Sequence, residues 1–338
     1  MKATRLDVAR LAGVSTATVS NVLNASGKVK GATLERVRRA MERLNYRPNM
    51  VARSLSTRRT MQIGIVLEDL QNPFYGSVVK HFELAANRAG YFVAICTSSE
   101  YLDHYFDNFV ARGLDGVFVA ALPYLFDVGK FDELLRNEIH LVVSGNTELS
   151  LPGVASIEND YDQAMREAIQ YLHGLGHRDI AYLTGLGQEM HFDRRCFSYL
   201  KYMQEAALPI HILAGKPPYH VDVQAGYQQA RRLLKEGRAF SAVICNNDLM
   251  AIGAIRAFHE HGLSVPGDVS VMGFDGIELG RYLHPALTTM VVDAKAFGSK
   301  AFNLLYNSMT AGIEEAYSSH LSLREGESTG PLAKTSEL

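Results

Sequence analysis

From residue 62 onward, short apolar runs rich in β-branched residues alternate with longer amphipathic segments. The eight runs read QIGIVL, YFVAICT, DGVFVAA, HLVVSG, DIAYLTG, IHILAG, AVICNN and VSVMGFD. In the segments between them, apolar residues recur at helical spacing, as at Val78, Val79, Phe82, Ala85 and Ala86. Strands that alternate with helices predict parallel sheets, so the expected fold class is α/β.

Eight strand–helix units leave two architectures open for this part of the chain. They could close into a single (β/α)₈ barrel, or they could form two Rossmann-like lobes with a cleft between them. The alternation breaks near residues 155–165, which favours two lobes. In open α/β sheets, ligands bind beyond the carboxyl ends of the strands, and several runs end there in polar residues such as Asp69, Asn247 and Asp275. The pattern therefore predicts a ligand site in the cleft.

The first sixty residues show a different pattern, that of three short helices. Gly13 separates the first two, and Ser15 is a plausible N-cap of the second. The three apolar stripes consist of Leu6, Ala9, Leu11 and Ala12, then Val19, Val22 and Leu23, and finally Leu34, Val37, Met41 and Leu44. Two short helices joined by a Gly-containing turn are typical of the helix-turn-helix, whose second helix enters the major groove of DNA.

The distribution of charge supports a nucleic-acid-binding head. Residues 1–60 contain 13 Lys and Arg but only 3 Asp and Glu, whereas the remaining residues contain 21 and 33. The net charge of −2 therefore conceals a basic head of +10 and an acidic body of −12. Such an asymmetry predicts a head that binds a polyanion. The alternative is an ordinary three-helix bundle with solvated charges.

The sequence indicates no other chemistry. The N-terminus lacks the apolar core of a signal peptide, and no apolar run approaches the roughly 20 residues that span a membrane. Cys96, Cys196 and Cys245 lie far apart and suit buried thiols better than disulfides or zinc ligands. A glycine-rich segment resembling a dinucleotide fingerprint is interrupted by Met190. We therefore expect no catalysis, no metal, no cofactor and no membrane attachment.

Several ordered motifs resemble the LacI/GalR family of bacterial transcription regulators. They read TRLDVARLAGVSTATVSNVLN, RPNMVARSLSTRRTMQIGIV, DLQNPFY, LGHRDIAYLTG, NNDLMAIGAIRA, VPGDVSVMGFDGI and HPALTT, and they extend from residue 4 to about residue 325. The resemblance implies a helix-turn-helix head and a two-lobed, periplasmic-binding-protein-like body of parallel Rossmann-like sheets. The implied divisions are a head at 1–46, a hinge helix at 47–60, a body at 61–325 and a C-terminal tail at 326–338. Within the body, lobe 1 covers about 61–159 and 291–325, and lobe 2 covers about 160–290.

The resemblance also implies DNA contacts in the head and hinge. Thr16, Ala17 and Asn21 match base-reading positions, where Asn21 can pair with adenine and the two methyl groups suit thymine. Leu55 matches a hinge leucine that each copy of a dimer presses into the minor groove, as expected of an apolar wedge that kinks the duplex. The other implied DNA contacts are Thr4, Ser15, Thr18, Asn24, Lys30, Thr33, Tyr46, Asn49, Arg53 and Ser56.

By the same resemblance, six residues match effector contacts, namely Phe74, Tyr75, Asp160, Arg195, Asn247 and Asp275. An arginine, an amide and carboxylates beside an aromatic wall suit a hydroxyl-rich ligand such as a sugar. Arginine also suits a carboxylate or a phosphate, so a sugar phosphate or a nucleobase stays open. Asn159 is the alternative to Asp160, and Ser198 stands where the family has glycine.

These features together predict a cytoplasmic, sequence-specific DNA-binding transcription regulator, a repressor that a small effector controls. It is expected to bind double-stranded DNA at a pseudo-palindrome as a homodimer. Two other classes share such a body: a periplasmic-type sugar-binding protein and an enzyme on a Rossmann-like scaffold. The basic head and the missing export signal argue against the first class. The lack of any Ser-His-Asp arrangement argues against the second.

The hinge interpretation predicts that Leu55→Ala lowers affinity for the operator, because the variant loses the apolar wedge that unstacks the central base step. Titration of a labelled operator duplex with the full-length protein measures this change. An unchanged operator affinity would contradict the assignment of Leu55 to the minor groove.

Overall fold

The computed structural model describes residues 3–23, 29, 31–47, 54, 59–67, 69–97, 102–120, 129–144, 152–186, 193–216 and 219–332. The chain divides into two compact units, Met1–Met61 and Gln62–Leu338. Among the described residues, no helix has both the length and the apolar character needed to cross a membrane.

The first unit contains the three predicted helices: α1 (Arg5–Ala12), α2 (Thr16–Leu23) and α3 (Ala32–Arg43). Gly13 ends α1 with a left-handed φ of 64°, which favours glycine at that position. Ser15 then caps α2, since its Oγ accepts a hydrogen bond of 3.1 Å from the backbone N–H of Thr18. The predicted helix-turn-helix and its N-cap are therefore confirmed.

The core of this head is small and is formed by all three helices. It consists of Val8, Ala9, Ala12, Val19, Val37 and Ala40, with Val22, Leu23, Met41, Leu44 and Tyr46 packed partly against it. The assignment of Leu6 and Leu11 to the apolar face was wrong, because these side chains are 47% and 45% exposed. Val8 faces the core in their place, since it lies on the same side of α1 as Ala12.

The second unit contains two six-stranded sheets, which decides between the two architectures that the pattern left open. The lobe 1 sheet has the order β11-β5-β4-β3-β1-β2, and the lobe 2 sheet has the order β12-β10-β9-β8-β6-β7. Every pairing is parallel except that of β10 with β12. A closed barrel is excluded, and two Rossmann-like lobes are confirmed.

The strands of lobe 1 are β1 (Gln62–Leu67), β2 (Phe92–Thr97), β3 (Gly116–Ala120), β4 (His140–Ser144), β5 (Val154–Asn159) and β11 (Ala316–Ser319). Those of lobe 2 are β6 (Ile180–Leu183), β7 (His211–Leu213), β8 (Ala242–Cys245), β9 (Ser270–Asp275), β10 (Thr288–Val291) and β12 (Ser322–Arg324). The eight predicted strands are all present. The pattern missed β5, β10, β11 and β12, of which β11 is largely exposed and β12 has only three residues.

Helices flank both sheets. They are α4 (Pro73–Arg88), α5 (Leu102–Arg112), α6 (Gly129–Arg136), α7 (Tyr161–Gly174), α8 (Arg194–Glu205), α9 (Val223–Glu236), α10 (Asp248–Glu260) and α11 (Ala294–Ala311). The last helix, α11, packs on α4, and the two approach so closely that a Cβ at Gly298 would collide with the backbone of Val78. This contact brings a late segment of the chain back into lobe 1.

The C-terminal segment differs from the predicted division in two respects. After α11, only β11 joins the lobe 1 sheet, whereas β12 pairs with β10 in the lobe 2 sheet, so the last crossing between lobes falls between Ser319 and Ser322. Residues 326–332, predicted to belong to a tail, are packed into lobe 2. His177 contacts the carbonyl oxygen of Gly330 at 3.0 Å through Nε2, and burial lowers the pKa of this histidine.

Ser328 connects the C-terminal segment to two strands of lobe 2. Its backbone oxygen accepts a hydrogen bond of 2.7 Å from Val271, and its Oγ donates to the oxygen of Val271 at 2.6 Å. The same Oγ accepts a hydrogen bond of 2.9 Å from the backbone N–H of Thr288. Since Ser328 is fully buried, no water can replace these partners.

We therefore expect Ser328→Ala to lower the free energy of unfolding by about 1–3 kcal/mol, because it leaves a buried donor and a buried acceptor unpaired. Urea unfolding followed by circular dichroism measures the change. Ser322→Ala, at an exposed position nearby, serves as the control and should have little effect. Equal stability of the two variants would contradict a structural role for the C-terminal segment.

Candidate effector cavity and nucleic-acid interface

A cavity lies between the two lobes, beyond the carboxyl ends of several strands. The cavity and the open solvent at its mouth together comprise about 850 Å³ of space without atoms. Lobe 1 contributes residues that follow β1 and the last residues of β3, β4 and β5, and lobe 2 contributes residues at the ends of β8 and β9. The lining consists of Asn72, Phe74, Tyr75, Val78, Ala120, Ser144, Glu158, Asn159, Tyr161, Leu186, Arg195, Val221, Asn246, Asn247, Asp275 and Phe297.

Five of the six predicted effector residues line this cavity: Phe74, Tyr75, Arg195, Asn247 and Asp275. Asp160 is not among the lining residues. Its Oδ1 instead caps α7 by accepting a hydrogen bond of 3.0 Å from the N–H of Gln163, and its Oδ2 lies 3.7 Å from Nδ1 of His320. The neighbouring Asn159, the alternative at this position, does line the cavity. Whether these side chains bind an effector stays a prediction.

Arg195 is held in place by groups on several elements. Its Nη1 donates a hydrogen bond of 2.9 Å to the backbone oxygen of Asn246, and its Cζ lies 4.6 Å from the ring centroid of Tyr161. Burial alone would lower the pKa of Arg195, but Tyr161, Asp193 and Asp275 together raise it above its usual value. The guanidinium therefore stays charged inside the cavity, and its buried Nε has no hydrogen-bond partner.

Asp193 fixes the start of the helix that carries Arg195. Its Oδ1 caps α8 by accepting hydrogen bonds from the backbone N–H groups of Arg195 at 3.1 Å and Cys196 at 3.3 Å. Its Oδ2 accepts hydrogen bonds from Thr184 Oγ1 at 2.9 Å and Tyr182 OH at 3.3 Å. With no exposed surface, this carboxylate determines both where α8 begins and how the arginine enters the cavity.

Asp275 connects the two lobes across the cavity. It ends β9 in lobe 2, and its Oδ2 accepts a hydrogen bond of 3.1 Å from Nδ2 of Asn72 in lobe 1. Burial raises the pKa of Asp275 to about 6, although Arg195 and Asn72 act in the opposite direction. Its φ of 101° is unusual for a residue with a side chain, and such strain is typical of functional sites.

Asn72 and Asn247 each start a helix at the cavity wall. Oδ1 of Asn72 accepts a hydrogen bond of 3.0 Å from the N–H of Phe74, which leaves its Nδ2 for Asp275. Asn247 caps α10 through a 2.9 Å hydrogen bond from the N–H of Met250. Its Nδ2 donates to the backbone oxygen of Val221 at 2.7 Å. Asn247 is therefore largely engaged by the protein itself.

The sequence interpretation missed several polar lining residues and named one, Asn159, only as an alternative. The missed residues are Asn72, Ser144, Glu158, Tyr161 and Asn246. Asn72 stands before a proline at a helix start, a signal that could have identified it as a cap. Asn159 donates through Nδ2 to Tyr161 OH at 3.1 Å, while its buried Oδ1 has no partner. An acceptor of this kind suits a ligand that carries hydroxyl groups.

The apolar wall of the cavity is aromatic. Phe74 lies edge-on to Tyr75 with 5.3 Å between ring centroids, and it also contacts Phe297 at 6.4 Å. All three residues line the cavity. Aromatic faces beside convergent polar groups are typical of sites that bind small organic molecules, including sugars.

The head presents its predicted base-reading residues to solvent. Ser15, Thr16 and Ala17 are exposed, while Thr18 and Asn21 are partly exposed on the same helix α2. This arrangement leaves short side chains at the start of α2 accessible, as major-groove recognition requires. Arg36, Arg38, Arg39 and Arg43 on α3 are also exposed, so the positive charge of the head lies in water.

Three other residues that are predicted to contact DNA also stabilise the head itself. Thr4 forms a capping box with Asp7, donating to its Oδ2 at 2.6 Å. Thr33 accepts a hydrogen bond of 3.4 Å from Nη2 of Arg36, and Tyr46 packs partly against the core of the head. The remaining predicted contacts lie outside the described residues; they are Asn24, Lys30, Asn49, Arg53, Leu55 and Ser56.

Comparison with known proteins matches both units. Residues 4–49 fit the model of the bacterial regulatory proteins of the lacI family, and residues 142–329 fit that of the periplasmic binding protein-like domain. Catabolite control protein A of Priestia megaterium is 31% identical over 90% of this chain and 92% of its own length. The chain belongs to the lacI family. The HTH-type transcriptional repressor PurR of Histophilus somni is 32% identical over 90% of this chain and 91% of its own length.

Solved structures of the family share the whole fold. The lac repressor dimer bound to operator and the anti-inducer ONPF is 26% identical, with a TM-score of 0.80 over 98% of this chain and 100% of that one. The regulator CelR in complex with cellobiose is also 26% identical, with a TM-score of 0.68 over 96% and 99% of the two chains. The predicted combination of a helix-turn-helix head with a two-lobed body is confirmed, and the protein is a DNA-binding transcription regulator.

We expect Asp193→Ala to destabilise the body of this lacI-family protein by about 2–4 kcal/mol, because it removes a cap and leaves several buried donors unpaired. Thermal unfolding followed by circular dichroism measures the loss. Asp160→Ala also removes a helix cap, but at a more exposed site, and should cost about 1 kcal/mol. Similar losses for the two variants would show that Asp193 acts as a cap alone.

Proposed function

We propose that the protein is a homodimeric transcriptional repressor whose operator affinity is set by a small hydroxyl-rich effector, most simply a sugar, bound between the lobes. The observation that carries this proposal is the hydrogen bond of 3.1 Å between Asn72 and Asp275 inside the cavity. An effector that contacts Asp275 either replaces the hydrogen bond from Asn72 or adds a second bridge between the lobes beside it. It thereby changes how the lobes are joined.

The charges of the cavity support a neutral ligand. Two acidic side chains, Glu158 and Asp275, line it together with one cation, Arg195. A phosphate or carboxylate would therefore meet more negative than positive charge in a buried site. Hydroxyl groups, by contrast, can donate to the carboxylates and to Oδ1 of Asn159 while accepting from the arginine. A sugar phosphate is the weaker candidate on this ground.

The structural relatives support the same class of effector. One is bound to cellobiose, and another, the lac repressor, is bound to ONPG in its repressed state. The aromatic wall formed by Phe74, Tyr75 and Phe297 gives the apolar face of a sugar ring a surface to pack against. We propose that these three residues provide stacking, while Arg195, Asn159 and Asp275 provide hydrogen bonds.

Control of DNA affinity requires that the effector bind two arrangements of the lobes unequally. We propose that Arg195 and Asp275 supply this difference, since one is fixed within lobe 2 and the other is bonded to lobe 1. In the dimer, a change in the lobes alters the spacing of the two heads. The recognition helices, with Thr16, Ala17 and Asn21 at the bases, then fit the pseudo-palindrome better or worse.

We propose that the cavity binds its ligand without chemical turnover and that the protein acts on chromosomal DNA in the cytoplasm. The relatives that it matches along its length are regulators. Two charged groups that line the cavity, Arg195 and Asp275, form hydrogen bonds with other protein groups. A binding role is the simplest use of such a site.

The proposal is tested by selecting duplexes from a randomised DNA pool with the full-length protein, then measuring operator affinity against a panel of sugars. Recovery of an inverted repeat whose affinity one sugar changes would support a sugar-controlled regulator. Thr16→Ala and Asn21→Ala should weaken binding to that repeat while leaving sugar binding intact. Binding without sequence preference, or turnover of a bound sugar, would contradict the proposal.

The raised pKa of Asp275 predicts that sugar affinity falls as the pH drops through about 6. Above that pH the group is ionised and accepts charge-assisted hydrogen bonds from sugar hydroxyls; below it the carboxyl is neutral and accepts them weakly. Affinity at pH 5 should be roughly tenfold lower than at pH 7.5, since one unit below the pKa leaves about a tenth of the carboxyl groups ionised. Isothermal titration calorimetry measures this dependence.

Asp275→Asn is the matched control, because it keeps the size of the side chain and removes its titration. Its sugar affinity should be lower at pH 7.5 and should change little between pH 7.5 and pH 5. A pH profile as steep as that of the wild-type protein would show that another group titrates.

A further inference from the structure

Lobe 2 contains a second cavity that the effector site does not use. It lies beside the end of the edge strand β7, next to Gly185 after β6, and at the first turn of α9. The cavity and the open solvent at its mouth together comprise about 820 Å³ of space without atoms. None of its lining residues also lines the effector cavity.

The lining of this cavity is basic. It includes Lys216, His220 and Arg232, and the single acidic residue among its described lining residues is Asp222. The Oδ1 of Asp222 accepts a hydrogen bond of 2.7 Å from the N–H of Ala225 and so belongs to the cap of α9. Arg232 is fixed at the wall, because its Nη1 donates to the backbone oxygen of Ala214 at 2.8 Å. The cavity therefore presents positive charge to a small ligand.

A buried acceptor without a partner points to a ligand more directly. Gln229 lines the cavity and is only 4% exposed. Its Nε2 donates to the backbone oxygen of Thr184 at 2.7 Å, which determines the orientation of the amide. Its buried Oε1 then has no hydrogen-bond partner, which is a costly state for a polar atom unless a ligand or water donates to it. A ligand that satisfies Gln229 needs a hydroxyl or N–H donor.

The second cavity shares a wall with the effector cavity. Val221 lines the effector cavity, while its neighbours His220 and Asp222 line the second one. The backbone of Val221 is tied to the effector site, because its oxygen accepts a hydrogen bond of 2.7 Å from Nδ2 of Asn247. On the other side, a Cβ at Gly185 would collide with Val221 and with the backbone oxygen of His220. The wall at Val221 is closely packed on both sides, so a ligand in one cavity can displace it toward the other cavity.

We propose that this cavity binds a small hydroxylated oxyanion, such as a phosphorylated polyol, as a second ligand distinct from the effector. Lys216, Arg232 and the first turn of α9 receive the oxyanion, and Gln229 accepts a hydrogen bond from a hydroxyl group. Binding at this site is independent of the proposed function. Its influence on sugar affinity, transmitted through Val221, rests on that function.

The test is calorimetric titration of the full-length protein with glycerol 3-phosphate, compared with inorganic phosphate and with glycerol. Glycerol 3-phosphate should bind at one site per chain, more tightly than phosphate, and glycerol should not bind measurably. The double variant Lys216→Gln/Arg232→Gln should weaken binding at least about tenfold, because it removes two charged contacts. Lys216→Gln alone, at an exposed position, should weaken it less and covers the case in which the double variant fails to fold.

The matched control is Arg231→Gln/Lys235→Gln, which removes two exposed cations from the same helix outside the cavity and should leave binding unchanged. Equal weakening in this control, or no saturable binding in the wild-type protein, would overturn the proposal. So would binding that Asp275→Asn abolishes and the cavity variants leave intact, because the probe would then occupy the effector cavity. If the protein binds no sugar, the titrations with glycerol 3-phosphate are unaffected. The proposed second site and the proposed sugar-controlled function can therefore be contradicted independently of each other.

Discussion

The effector cavity depends on keeping the charged side chain of Arg195 largely buried. The arginine lies in the first turn of α8, where the partial positive charge of a helix N-terminus disfavours a cation. Burial adds a second cost, so the position is tolerable only because other groups compensate. Asp193 caps the helix directly beneath it, the oxygen of Asn246 accepts from its guanidinium, and the ring of Tyr161 lies against it. Each of these partners comes from a different element, which ties the elements together.

Asp275 completes this arrangement and extends it to the other lobe. Its carboxylate faces the same arginine, yet its closest described hydrogen bond is to Asn72, at the start of a helix in lobe 1. The carboxylate of Asp275 therefore interacts both with the charge of Arg195 in its own lobe and with Asn72 in the opposite lobe. A ligand that engages Asp275 affects both, which is why one small molecule can influence the relative arrangement of two rigid sheets.

Much of the architecture was predictable because the buried strands are continuous apolar runs. All eight such runs are strands, whereas β11 (AYSS) and β12 (SLR) contain few apolar residues, so no apolar run marks them. The pairing of β12 with lobe 2 and the burial of Ser328 depend on contacts between distant segments, which local periodicity does not report. In the head, helical spacing alone could not separate the exposed Leu6 and Leu11 from the buried Val8.

The candidate site was predictable only in part, for a related reason. Residues that follow strand ends, such as Asp275 and Asn247, are visible in the sequence because they end apolar runs. Asn72 and Tyr161 reach the cavity only through the way that the lobes fold together. Asn246 directly follows β8, so the signal that identified Asn247 could have found it too, and it contributes to holding Arg195 through its backbone. The distinction between Asn159 and Asp160 likewise depends on strand register, since one residue faces the cavity and the next caps a helix.

The central claim is that effector sensing depends on Asp275 while DNA recognition belongs to the head. The most direct test is the operator affinity of Asp275→Ala, measured with and without the sugar identified by the panel. The account predicts that the variant still recognises the operator, since the base contacts lie in the head, and that its operator affinity no longer responds to the sugar, since the contact between the lobes that the sugar alters is missing. A variant that responds normally, or one that no longer binds the operator without sugar, would contradict it.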